Sequence, residues 1–136
     1  MAGHIYDLKS SKYLGWQERF AVTMPLEGTA FFASVPYQIQ KPELTLAPAE
    51  PKNGLPTIRC QAKLNPEEAA RENQVVQFRL FAPDGAEWPD FAATRTARSG
   101  TAEHLFTLPL DAPRGNWRVE AREAISGLAD ARSITL

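Results

Sequence analysis

From residue 42 onward, apolar and polar residues alternate in short segments, the period of a strand with one face buried and one face wet. Residues 57–64 show this most cleanly, with Ile58, Cys60, Ala62 and Leu64 on one face and Arg59, Gln61 and Lys63 on the other. Residues 75–81 repeat it with Val76, Phe78 and Leu80 inward, and stop at the turn Ala82-Pro83-Asp84-Gly85. Residues 116–123 do so again with Trp117, Val119 and Ala121 inward. Weaker patterns predict an edge strand over 43–47 and strands over 91–97, 102–110 and 128–136, with Phe106 and Leu108 in the core. In the last of these, Ile134 and Leu136 share a parity with Asp130 and Arg132, which predicts a bulge or a late joining of the sheet. Seven short strands at a spacing of about ten residues are the pattern of a Greek-key β-sandwich.

The first forty residues read as a separate small group of antiparallel strands, over 5–8, 13–16, 20–24 and 29–35, with turns at 9–12 and 26–28. Phe31-Phe32-Ala33-Ser34-Val35 is apolar at both parities, as in a strand buried on both sides. So few strands cannot cover it alone. The expected organisation is therefore a unit over 1–40, either packed on the next unit, paired with a second copy, or the tail of a truncated β-domain. A sandwich over 41–136 follows, with Gln40-Lys41-Pro42 as the linker. The one helical candidate is 66–72, which has Asn65 as cap and Pro66 at the first position, and amounts to one or two turns inside a loop.

A chain of 136 residues with 43% hydrophobic residues holds one ordinary domain plus an appendage, and can fill a core. A formal charge of -1 with scattered Lys and Arg argues against nucleic acid, which needs a basic stripe. The apolar runs are too short for membrane insertion by a helix. A single cysteine, Cys60, excludes an intrachain disulfide, and its parity places it in the core. Met1-Ala2-Gly3-His4-Ile5 carries no signal peptide, so the chain is either cytoplasmic or part of a longer secreted or cell-envelope chain. The N-terminal strands favour the second.

Little in the chain points to chemistry. Glu67, Glu68, Glu72, Asp84 and Asp111 fall in loops and turns, and the remaining carboxylates are expected on outward strand faces, so no acid–base pair can be named. His4 and His104 lack partners at metal-ligand spacing, and no serine sits in a Gly-x-Ser-x-Gly turn. The expectation is a non-enzyme with no cofactor or metal site. The aromatics are the remaining candidates. Trp88 lies in the polar stretch 85–90, while Trp16 and Tyr13 flank the first hairpin. All three are candidate carbohydrate or partner contacts, against the plainer reading that they pack on a neighbouring loop or domain.

Two stretches carry a resemblance. Tyr6-Asp7-Leu8, Tyr13-Leu14-Gly15 and Phe31-Phe32-Ala33-Ser34-Val35-Pro36-Tyr37 resemble the closing strands of β-domains in large bacterial glycoside hydrolases. Phe81-Ala82-Pro83-Asp84-Gly85, the run from Pro113 to Ala121 and Ser126-Gly127 resemble the punctuation of immunoglobulin-like and macroglobulin-like modules of envelope proteins and hydrolases. The resemblance implies an immunoglobulin-like accessory module that spaces, stabilises or docks other domains of a carbohydrate-active or envelope protein. The alternative is a carbohydrate-binding module.

Overall fold

The computed structural model describes residues 2–22, 28–67 and 74–136. Its ten described strands form three antiparallel sheets. In the first, β1 (Gly3–Asp7) lies between β2 (Lys12–Gln17) and β3 (Phe32–Val35). The second has the order β4 (Gln40–Lys52), β5 (Leu55–Asn65) and β8 (Thr101–Thr107). The third runs β10 (Ala129–Thr135), β9 (Asn116–Glu123), β6 (Val75–Phe81) and β7 (Ala93–Thr96). The fold is all-β, and the second and third sheets pack face to face as a β-sandwich.

The alternation sets this packing. Ile58, Cys60, Ala62 and Leu64 of β5 meet Val76, Phe78 and Leu80 of β6 and Trp117, Val119 and Ala121 of β9 in one buried cluster. Arg59, Gln61 and Lys63 stay in water. Phe106 of β8 and Leu108 just past it join from the same sheet as β5, each 1% exposed. Trp117 is completely buried, and its indole N–H is not orphaned, because it donates to the Pro113 carbonyl at 3.0 Å. Emptying such an aromatic site typically costs about 3–5 kcal/mol.

Several expectations are corrected. β4 is far longer than 43–47, because an edge strand tolerates prolines whose missing N–H faces outward. Residues 40–42 do not link two units but begin β4, with Pro42 buried. β10 carries no bulge: its register with β9 runs unbroken from Ala129↔Arg122 to Thr135↔Asn116. The parity conflict is resolved by burying Asp130, whose carboxylate accepts the Leu44 N–H of β4 at 3.0 Å. Phe91 belongs to a short 3-10 turn, Pro89–Phe91, and not to β7.

The N-terminal sheet shares the sandwich core. Tyr6 is 2% exposed and clusters with Tyr37, Ile39 and Leu64, and its hydroxyl oxygen accepts the Ile39 N–H at 2.7 Å. The turn after β1 rests on the turn after β9. There Gly127 has φ +71° and approaches Ser11 so closely that an added Cβ would sit 2.6 Å from the Ser11 Cβ. Phe31, expected inside a doubly buried strand, is 61% exposed, and Ser34 also faces water. Residues 20–22 are not strand. The expectations for 23–24, for the turn at 26–27 and for most of the helical stretch 66–72 lie outside the described residues.

Candidate functional site

Two of the three aromatic candidates come together. In the β1–β2 hairpin His4 opposes Trp16 and Tyr6 opposes Tyr13, with a slip in register between Ile5 and Tyr6 that leaves Leu14 as an extra residue. Gly15, at φ +98°, takes the backbone through that bulge. The insertion brings Tyr13 and Trp16, three apart in sequence, to the same face as His4 and Tyr6. The rings make a continuous series: His4–Trp16 edge-on at 4.9 Å, His4–Tyr13 stacked at 5.9 Å, Tyr6–Tyr13 tilted at 5.1 Å. His4 Nδ1 and Tyr13 Oη share a hydrogen bond of 2.8 Å. Trp16 is 58% exposed and Tyr13 37%, so both present ring surface to solvent. Beside them a cleft of about 230 Å³ lies between the hairpin and the β9–β10 turn, walled by Tyr6, Ser11, Tyr13, Ile39 and Leu128. It is smaller than the usual ligand pocket of roughly 300–1,000 Å³.

Trp88 does not join them. It stands on the β6–β7 connection, where its ring meets Trp117 edge-on at 4.8 Å and Phe91 at 5.4 Å. The Trp88 backbone N–H donates to the Leu80 carbonyl at 2.9 Å. The register Val76↔Glu123 and Phe81↔Arg118 puts this connection at the opposite end of the sandwich from the β9–β10 turn. Trp88 is half-buried and closes the core there.

No protein-family model, curated protein or solved structure matches the chain. The reading of its surface therefore rests on its own geometry.

The carboxylates expected on the surface include two that are buried. Glu123 is fully buried and accepts the Ile125 N–H at 3.0 Å and the Ser126 N–H and hydroxyl at 2.7 Å each, which pins the β9–β10 turn. Asp130, 4% exposed, accepts the Leu44 N–H and pairs with Lys41 at 3.1 Å and Arg132 at 3.4 Å. Burial alone would raise the Asp130 carboxyl, but the Leu44 N–H and the two cations hold it below its ordinary value. On the outer face of the third sheet Arg79 clamps Glu87 through two bonds, of 2.9 and 2.6 Å, and also reaches Glu120 at 3.3 Å. The Arg79 hydrogen bond lowers the Glu87 pKa. Each of these carboxylates is occupied by a structural donor, and Glu87 and Glu120 share the one Arg79 guanidinium.

Cys60 is completely buried, and burial pushes its thiol up to about 12, away from nucleophilic chemistry. His104 turns inward from β8 between Phe78 and Phe106, at 6.0 and 4.5 Å, and its Nδ1 accepts the Arg95 Nε–H at 3.2 Å. Among the described residues no three His, Cys, Asp or Glu side chains are placed to hold a metal ion. No helix among them is long and apolar enough to cross a membrane. Sequence reasoning missed Glu123 and Asp130. The signal for Asp130 was present in its inward parity, and that for Glu123 in the Ser three residues later, a spacing at which one carboxylate can take a tight turn's N–H groups.

Proposed function

We propose that the chain is a non-catalytic, immunoglobulin-like module that spaces, stabilises or docks other domains of a larger secreted or envelope protein, one that acts on carbohydrate. The observation that carries this reading is the strand order. With β4 to β10 taken as seven consecutive strands, the first, second and fifth form one sheet, and the seventh, sixth, third and fourth form the other. That order supports the immunoglobulin-like reading, with the fourth strand beside the third rather than beside the fifth. The chain departs from antibody domains in having one cysteine and in placing its central tryptophan on β9. The carboxylates spent on turns and strand edges add to the reading. The purified chain should hydrolyse aryl glycosides and esters no faster than buffer does across a broad pH range. Turnover that disappears in Glu87→Gln or Glu123→Gln would overturn the proposal.

A second reading, a carbohydrate-binding module, draws on the exposed rings of Trp16 and Tyr13 on one hairpin face. Flat ring faces stack on the CH face of a pyranose, and the His4–Tyr13 pair supplies polar atoms beside them. Calorimetric titration with soluble β-glucan oligosaccharides tests it: binding lost in Trp16→Ala and kept in Trp88→Ala supports this reading, and heats equal to dilution exclude it for these sugars.

A further inference from the structure

The two long sides of the sandwich close differently. On one side β10 is fastened to β4, where Asp130 takes the Leu44 N–H and Arg132 Nε–H reaches the Leu44 carbonyl at 3.4 Å. On the other side lie β7 and β8, the last strands of their sheets. Between them runs an open groove of about 600 Å³, lined by Thr94, Arg95, Thr96, Arg98, Thr101 and Glu103.

The backbone of β7 faces this opening in a defined way. Ala97 N–H donates to the Gln74 carbonyl at 2.7 Å, so Ala97 belongs to a hydrogen-bonded pair of the β6–β7 ladder. Such pairs alternate along an antiparallel ladder, so Arg95 and Ala93 also bond inward and the N–H and C=O of Thr94 and Thr96 point to the free edge. Among the described residues no backbone group bonds to them. An edge of this kind is a template for one more strand. The charge of the groove selects which strand. Arg95 gives its Nε–H to His104 and keeps its terminal N–H groups, and Arg98 has no carboxylate partner among the described residues. Glu103 is already taken by Gln61 at 3.1 Å and Arg59 at 3.7 Å. The groove is thus net positive on a chain of formal charge -1.

We infer that the free edge of β7 docks an extended acidic peptide segment of a partner protein. The segment adds as a fifth strand to the third sheet, its main chain bonding to Thr94 and Thr96 and its carboxylates to Arg95 and Arg98. The edge geometry carries this whether or not the module is immunoglobulin-like.

Fluorescence anisotropy with the full chain and a short labelled peptide of alternating glutamate and valine tests it. Binding should saturate, weaken as salt is added, and fall about tenfold, near 1.4 kcal/mol, in Arg98→Glu. Thr94→Pro removes a free-edge donor and spares the bonds to β6, so it should abolish binding with the unfolding midpoint near that of the parent chain. A peptide N-methylated at alternate residues repeats that test without altering the protein, and in one of its two phases should not bind. Equal binding of a lysine–valine peptide, indifference to Thr94→Pro and to both N-methylated phases, or no binding overturns the inference. So does a dimer of the chain that Thr94→Pro dissolves, since a second copy would then occupy the edge.

Discussion

His104 shows how one inward side chain ties pH to stability. Its imidazole faces Arg95 from β7 and lies across from Cys60 on β5, with Phe78 and Phe106 around it. Burial, and then the Arg95 charge, lower its pKa from the ordinary 6.5. A histidine with a depressed folded pKa contributes stability that is complete above the unfolded value and is lost as pH falls through it towards the folded one. The urea midpoint of the chain should therefore fall between about pH 7 and about pH 5, and His104→Gln should flatten that slope. An unchanged slope in the variant would assign the effect elsewhere. Cys60 gives a second check. An aromatic disulfide reagent should leave the native chain unlabelled and label one thiol per chain in guanidinium, since the buried thiol stays protonated. At this scale the sequence was legible wherever side chains were apolar: parity placed Ile58, Phe78, Phe106 and Trp117 inside. For Glu123 and Asp130 the inward parity was there but was not read as burial, because parity does not reveal the backbone N–H groups waiting for a carboxylate.

Among the elements, β6 ends and β9 begins as their punctuation implies, at Pro83-Asp84-Gly85 and at Gly115, two turns that meet at one end of the sandwich. β4 was understated because its prolines break the pattern without breaking an edge strand. The β1–β2 hairpin was legible as strands, but not as a ring face, since that face depends on the extra residue Leu14. What holds the hairpin to the sandwich can be measured in two places. Tyr6→Phe leaves the buried Ile39 N–H without its acceptor and should cost about 1–3 kcal/mol. Gly127→Ala forces a left-handed φ on alanine and drives its Cβ into Ser11. Pairing it with Ser11→Gly relieves the contact and not the dihedral, so the double variant should recover part of the loss, and a purely additive cycle would show that the two turns do not touch in solution.

For the whole molecule, the period-2 pattern says nothing about which segments pack together, and here it suggested two units where the core is shared. Tyr6, Tyr37 and Ile39 lie in the same cluster as Leu64 and Val76. The chain should therefore unfold in one calorimetric transition whose measured and van't Hoff enthalpies agree, and proteases should spare residues 40–42. Two transitions would mean that the N-terminal sheet melts by itself. The fastening of β10 to β4 has a mechanical consequence. Asp130 near the start of β10 meets Lys41 and Leu44 near the start of β4, while Gly54 and Leu136, just past their ends, border one cleft, so the two strands run in the same direction. Tension between residue 40 and residue 136 then slides one strand along the other and strains the Asp130 and Arg132 contacts together, where peeling would break them in turn. Stretching single molecules from these two points should give a high rupture force that Asp130→Asn lowers by removing the charge pairing to Lys41 and Arg132. A sandwich joined this way keeps its length under load.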